Sequence, residues 1–493
     1  MPISTTIQPG LYKDSVALMR AGQLVLAQPG VQRATLLMGT PANKELLADA
    51  GLWRPELEAA RPNDLMIVVD AQSDEAVAGA HAAIAKLLRG EPARSDSAVE
   101  VAPPRSIAMA VAAAADVALA QISVPGPYAG AEALKALRRG LHVFLFSDNV
   151  PLEQERALKE LARRKDLLVM GPDCGTAIIR GVPLGFANVV RRGAIGWVGA
   201  SGTGLQEVTC RVHALGEGVS QVIGTGGRDV YREIGGITMR QGIELLAADP
   251  ETRVIGIVAK PPAPEVAKVV VECAAQAGKP CVLLFLGADL ARAELPAQVV
   301  PVTTLQDAAR AAVALLGQGR LDARHAEDDA WHAEDDARAG AEASRLAPGQ
   351  RFLYGLYSGG TFCTEAQLVW RALGLRTRSN VPLDAADRLG DEPAVAAHRA
   401  IDFGADEFTL GRPHPMIDVT TRRDQIVDAA RDPAVAALVV DVVIGYGAHA
   451  DPAGTLATAI AEARGIAQKA GRHLPVVTFV CGTEEDPQRL SVQ

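Results

Sequence analysis

The chain has 493 residues, which at roughly 100–200 residues per domain allows three or four domains. Hydrophobic residues make up 48% and aromatics only 4%, so the cores are aliphatic and suit buried parallel sheets better than an aromatic-rich sandwich. The net charge of -9, without any basic block, argues against general nucleic-acid binding, and no apolar run reaches the roughly 20 residues of a membrane span.

The opening MPISTTIQPG has no basic stretch followed by an apolar one, so no signal peptide is expected and the cytoplasm is the expected compartment. Residues 1–95 read as a small α/β unit, with strands at Ala34–Met38 and Leu65–Val69 and a helix over Ser73–Leu88. Gly90–Arg105 is polar and Pro-containing, as a linker is. From about residue 106, strands and helices alternate. Strands are expected at Leu119–Val124, Val143–Phe146, Leu167–Met170, Ile195–Val198, Val219–Ile223, Val254–Val258 and Val282–Leu286, with helices such as Glu132–Arg139 and Leu152–Arg164 between them. Such alternation means parallel sheets covered by helices on both faces. Residues 321–349 repeat HAEDDA, at His325–Ala330 and His332–Ala337, and read as a solvated linker rather than a metal site. A further α/β unit begins at Arg351.

The six cysteines form no CxxC pair, which argues against structural zinc and a disulfide framework. The sharpest local signal is Gly196–Glu207, a strand running into a Ser/Gly/Thr loop that opens a helix. The free N–H groups of a first helical turn and the helix dipole favour an anion. Ser201, Gly202, Thr203 and Gly204 are therefore candidate phosphate ligands, unless Ser201 and Thr203 only cap their own helix. A second loop of this kind, with Gly445, Gly447 and Ala448, precedes a helix near Pro452, and the two loops can face one shared anion. Ligands in open α/β sheets bind at strand carboxyl ends. Three more clusters lie at such ends: Gly226, Gly227 and Arg228; Lys260; and Ser358, Gly359 and Gly360. The bland alternative for each glycine pair is a turn. Arg412 can clamp a carboxylate or phosphate, and His414 can donate a hydrogen bond or shuttle a proton, against the alternative of a surface turn. Ser201, Thr203, Lys260 and His414 are the candidate catalytic residues. His449 is a weaker candidate, His213 reads as structural, and Cys174 reads as a passive thiol.

The motifs GPDCGT, GWVGASGTGLQE, GTGGRDV, KPPAPEV and CVLLFLG resemble the succinyl-CoA synthetase α subunit. ALVVDVVIGYG and VVTFVCGTEED resemble the ligase domain of its β subunit. With MGTPANK, FSDNV, GLYSGGT and GRPHPMID, the chain is similar to the FdrA family over residues 10–490. The resemblance implies several doubly wound parallel-sheet domains. These are a small N-terminal α/β domain over 1–95, a Rossmann-like CoA-binding-type domain over 96–190, a flavodoxin-like ligase-type domain over 191–320, a linker over 321–349 and a second flavodoxin-like domain over 350–493. Ligases of this superfamily carry a histidine in a GHAGA-type loop after the strand at Val282–Leu286. Here FLGADLARAELPAQ has none, and no ATP-grasp module is present. The region Ile122–Pro127 lacks a glycine fingerprint for a nucleotide. The resemblance implies a subunit of oxamate carbamoyltransferase, which converts oxalurate and phosphate to oxamate and carbamoyl phosphate with other, unlike subunits. Phosphate is then a co-substrate, with no metal and no firm cofactor. The alternative is an ATP- or GTP-dependent acid–CoA ligase, binding CoA or nucleotide and taking the missing parts from a partner.

Overall fold

The computed structural model describes the chain apart from residues 1–2, 12, 14, 27, 50, 90–103, 115, 289–294, 318–334, 391–396 and 410–412. The chain divides into two compact units, one of residues 1–103 with 409–413, the other of 104–408 with 414–493.

The first unit holds a three-stranded antiparallel sheet, with Leu65–Ala71 between Ile3–Gln8 and Val31–Met38. The central strand alternates with period two. Leu65, Ile67, Val69 and Ala71 face helices Ser15–Leu26 and Asp74–Arg89, while Met66 and Val68 meet Leu47, Leu52 and Leu57 on the other face. The first strand, ISTTIQ, was not expected from sequence: it is short and mostly polar, and it stays only partly buried at the sheet edge.

The second unit holds three sheets. Leu119–Ile122, His142–Leu145 and Val169–Met170 form a parallel three-stranded sheet. The seven-stranded sheet runs, in spatial order, Val299–Pro301, Cys281–Phe285, Val254–Ala259, Arg192–Ala200, Val219–Gly224, Thr176–Ile179 and Val182–Gly185. Its first five strands are parallel, and a hairpin adds the last two antiparallel. The five-stranded sheet is wholly parallel, in the order Thr377–Ser379, His398–Asp402, Phe352–Tyr357, Val435–Val443 and Val476–Cys481. Central strands such as Val254–Ala259 are buried throughout, as a sheet covered on both faces requires.

A buried ion network ties helix Leu152–Arg164 to the seven-stranded sheet. Lys159 Nζ donates to Glu155 Oε1 at 2.8 Å, to Asp229 Oδ1 at 2.8 Å and to Thr225 O at 2.9 Å. Asp229 in turn accepts the N–H groups of Thr238 and Met239, satisfying the first turn of helix Ile237–Ala248.

Most of the HAEDDA repeat lies outside the described residues, so the linker reading of that stretch stays an expectation.

Candidate functional site

Strand Arg192–Ala200 has Val219–Gly224 on one side and Val254–Ala259 on the other. The chain pairs first with one neighbour and later with the other, so a crevice opens at the strand's carboxyl end, where Ser201 stands. Strand Phe352–Tyr357 is placed alike, between His398–Asp402 and Val435–Val443, with Ser358 at its end.

The two crevices are joined by one hydrogen bond. Ser201 is the residue before helix Gly202–Ala214, yet its side chain makes no cap to that helix. Its Oγ instead lies 2.6 Å from Thr361 Oγ1, in the first turn of helix Gly360–Ala372. The N–H groups of Gly202, Thr203 and Gly204, and of Gly360, Thr361 and Phe362, have no hydrogen-bond partner among the described residues. Two helix N-termini thus point their positive ends at one place. A side chain at position 359 is excluded there, because a Cβ would stand 2.6 Å from Thr203 Cγ2.

Lys260 follows strand Val254–Ala259 and is half-buried. Its ammonium lies 3.2 Å from where a Cβ on Gly360 would stand, and it has no salt bridge or hydrogen bond among the described residues. Buried Asp402 also borders Gly360; burial raises its carboxyl, and the nearby Lys260 charge opposes that rise. The Ser358 hydroxyl is already spent: it donates to Asp441 Oδ2 at 2.9 Å, and the N–H groups of Ser358 and Gly359 donate to the same carboxylate. Arg422 Nη2 backs Asp441 at 2.7 Å, with both side chains buried. This pair shapes the loop rather than presenting charge to a ligand.

His414 lies beside Phe186, ring centroids 5.1 Å apart, and its Nδ1 accepts the N–H of Met416 at 3.2 Å. The proton of the neutral ring therefore sits on Nε2. Burial, and then the Arg422 charge, lowers its pKa to about 4, so His414 is a neutral hydrogen-bond donor.

The structure thus gathers Ser201, Gly202, Thr203, Gly204, Lys260, Gly359 and Gly360. The expected pairing of the Ser201 loop with the loop of Gly445, Gly447 and Ala448 is corrected: the partner is the Ser358–Thr361 loop. The helix at Pro452–Lys469 is closed by its own Asp451, whose carboxylate accepts Gly454 N at 2.9 Å. Gly445 N donates to Gln488, and Tyr446 N to Ala187 O. Gly226 and Gly227 form the turn into the Asp229 network, and Arg228 is held by Val150 O and Glu155, at 2.7 and 2.9 Å. Arg412 lies outside the described residues. Cys174 is buried, its thiol pushed up to about 12 chiefly by desolvation, so it is no nucleophile. His213 and His449 each accept a backbone N–H, from Arg191 and Asp451. Sequence reasoning missed Thr361, although it stands in the Gly-Gly-Thr run quoted for the loop. It also missed Asp441 and Arg422, which carry no local signal.

Three family models match the chain. One described as "AllF, heavy metal-associated domain" covers residues 1–104, one described as "CoA binding domain" covers 191–287, and one described as "CoA-ligase" covers 356–493. The CoA-binding match falls on the segment expected to be ligase-type, not on 96–190. A protein of Escherichia coli (strain K12), "Uncharacterized protein YahF", is 42% identical over 493 residues, covering 100% of this chain and 94% of that one. The "Succinate--CoA ligase [ADP-forming] subunit alpha" of Aquifex aeolicus (strain VF5) is 31% identical over 140 residues, covering 27% of this chain and 45% of that one. Among solved structures, the dinucleotide forming acetyl-coenzyme A synthetase 1 of Ca. Korarchaeum cryptofilum is similar over 78% of this chain and 79% of that one, at 16% identity and a TM-score of 0.36. The larger unit has a CoA-ligase-type fold related to the succinyl-CoA synthetase α subunit. No helix among the described residues is long and apolar enough to cross a membrane.

The residues of the first unit do not fit the heavy metal that its family model names. Residues 1–104 contain no cysteine and one histidine, His81, whose Nε2 is 2.9 Å from Ser4 Oγ. A soft metal finds no thiolate and one imidazole there, and the thioethers of Met38 and Met66 are buried in the core.

Proposed function

The chain belongs to the same family as Escherichia coli YahF, and we propose that it is the phosphate-handling subunit of a carbamoyltransferase, taking oxalurate and phosphate to oxamate and carbamoyl phosphate. The observation that carries this reading is the Ser201–Thr361 hydrogen bond, which brings two helix N-termini together beside Lys260, a cation without a salt bridge among the described residues. The six N–H groups around the bond, with the two hydroxyls, suit a phosphate or an acyl phosphate. Phosphate held there attacks the carbamoyl carbon, and the remaining donors stabilise the oxyanion that develops. His414 Nε2–H donates to the substrate, and Lys260 balances its charge. The resemblance of the motifs to the FdrA family supports the reading, as does the absence of a histidine from FLGADLARAELPAQ.

A second reading is an acid–CoA ligase that takes its phosphohistidine and ATP-binding parts from a partner. The CoA-binding and CoA-ligase matches, and the similarity to a succinate–CoA ligase α subunit, favour it. Assay of the chain, with the proteins encoded beside it, separates the two. Oxalurate cleavage that requires phosphate but neither ATP nor CoA supports the transferase. Thioester formation that requires ATP and CoA supports the ligase and ends the first reading.

A further inference from the structure

Asp402 pairs with Tyr357 at the carboxyl end of the five-stranded sheet. Asn380 fixes its backbone from two sides, donating from Nδ2 to Asp402 O and accepting Asp402 N on Oδ1, each at 2.9 Å. The side chain is fixed as well: Oδ1 accepts the N–H of Gly404 at 2.9 Å. Oδ2 is turned to the two-helix site. A Cβ on Gly360, the first residue of helix Gly360–Ala372, would stand 2.4 Å from it. Asp402 is only 4% exposed, yet Oδ2 has no hydrogen-bond partner among the described residues, so it does not cap the helix it faces.

Lys260 Nζ lies 3.2 Å from the same point on Gly360, and the two charges form no salt bridge. A carboxylate and an ammonium thus flank one opening at the mouth of the helix. Glycine keeps that opening clear, since any side chain at position 360 would begin between them. A carboxylate is a poor companion for a bare phosphate, because like charges repel strongly where water is scarce. Its presence calls for a ligand that carries donor protons beside its phosphate. A carbamoyl group does so. Its amino nitrogen donates and its carbonyl oxygen accepts from one carbon, which matches the carboxylate and the ammonium. An acyl group offers the oxygen but puts carbon where Asp402 needs N–H, and leaves a buried carboxylate oxygen unpaired.

We propose that Asp402 is the specificity-determining residue of this site, its Oδ2 accepting the amino group of a carbamoyl phosphate while Lys260 holds the carbonyl oxygen. The proposal rests on the transferase reading above and narrows it: the site selects carbamoyl over acyl ligands by one hydrogen bond. Asp402 takes part in no bond-making step and moves no proton.

The test is binding of two stable phosphonates to the full chain, followed by calorimetry. Phosphonoacetamide and acetonylphosphonate differ only by an amino group in place of a methyl group. Wild type should bind phosphonoacetamide roughly 10- to 100-fold more tightly, the worth of a hydrogen bond to a charged group. In Asp402→Asn, the Gly404 N–H keeps the amide oxygen and the amide NH2 faces the opening as a donor. The preference should then fall to about threefold or less, while inorganic phosphate binds at least as tightly as before, because a negative charge has gone. A wild type that binds both phosphonates alike overturns the proposal, as does a preference that survives in Asp402→Asn. Weakened phosphate binding in that variant marks a structural role and also overturns it. If the assembled complex still cleaves oxalurate with phosphate, these results sink this inference alone. A complex inert toward oxalurate sinks the reading it rests on, and a chain that binds neither phosphonate nor phosphate overturns both.

Discussion

Ser201 Oγ and Thr361 Oγ1, 160 residues apart in the chain, lie 2.6 Å from each other and join the switch points of two parallel sheets. Either hydroxyl can donate, so one proton bridges the pair and the other is free for an incoming anion. Ser201→Ala removes one donor and leaves Thr361 buried without its partner. A hydrogen bond to a charged group is worth about 1.5–3 kcal/mol, so KM for phosphate should rise roughly 10- to 100-fold. Steady-state kinetics with phosphate varied will show it.

Gly359→Ala should fail for a steric reason rather than a chemical one. The new methyl meets Thr203 Cγ2 at 2.6 Å and must push the two helix N-termini apart. Overpacking of this kind costs about 1–3 kcal/mol. Urea denaturation should show the loss, and Gly359→Ala combined with Thr203→Ala should recover part of it.

The alternation of apolar runs with helices made the large parallel sheets readable, and the strand expected at Val254–Val258 is found at Val254–Ala259. Which loops meet was not readable from alternation. The Gly445 loop and the Ser358 loop look alike in sequence, since each is a buried strand ending in glycines before a helix. They differ in Asp451, whose carboxylate fills the N-terminus of one helix, and Asp followed by Pro is a capping signal that was open to reading. Ser358 looked like a ligand but serves Asp441, an acceptor 83 residues away.

His414 should give an acid-sensitive stability. Its folded pKa is lowered from 6.5 to about 4, so between those values the unfolded chain binds a proton that the folded chain refuses. The stability linked to His414 is complete above about 6.5 and is lost as pH falls toward about 4. His414→Asn should remove that part of the pH dependence. NMR of the ring should show the neutral Nε2–H form still present at pH 5.5.

Lys159→Met leaves the buried carboxylate of Asp229 without its cation and that of Glu155 with Arg228 alone. Breaking a buried ion pair from one side costs about 3–5 kcal/mol. The variant should unfold at clearly lower urea, and adding Glu155→Gln and Asp229→Asn should restore much of the loss. Unchanged stability in the single variant would contradict the burial of this network.

The central claim is that phosphate, held between the helices of Ser201 and Thr361, is itself the nucleophile. The most direct measurement supplies phosphate fully labelled with oxygen-18 to the assembled complex with oxalurate and follows the products by mass spectrometry. The account predicts carbamoyl phosphate that keeps every labelled oxygen, the bridging one included, and oxamate that carries none. An acyl phosphate whose bridging oxygen is unlabelled, or product that forms only with ATP, would contradict it.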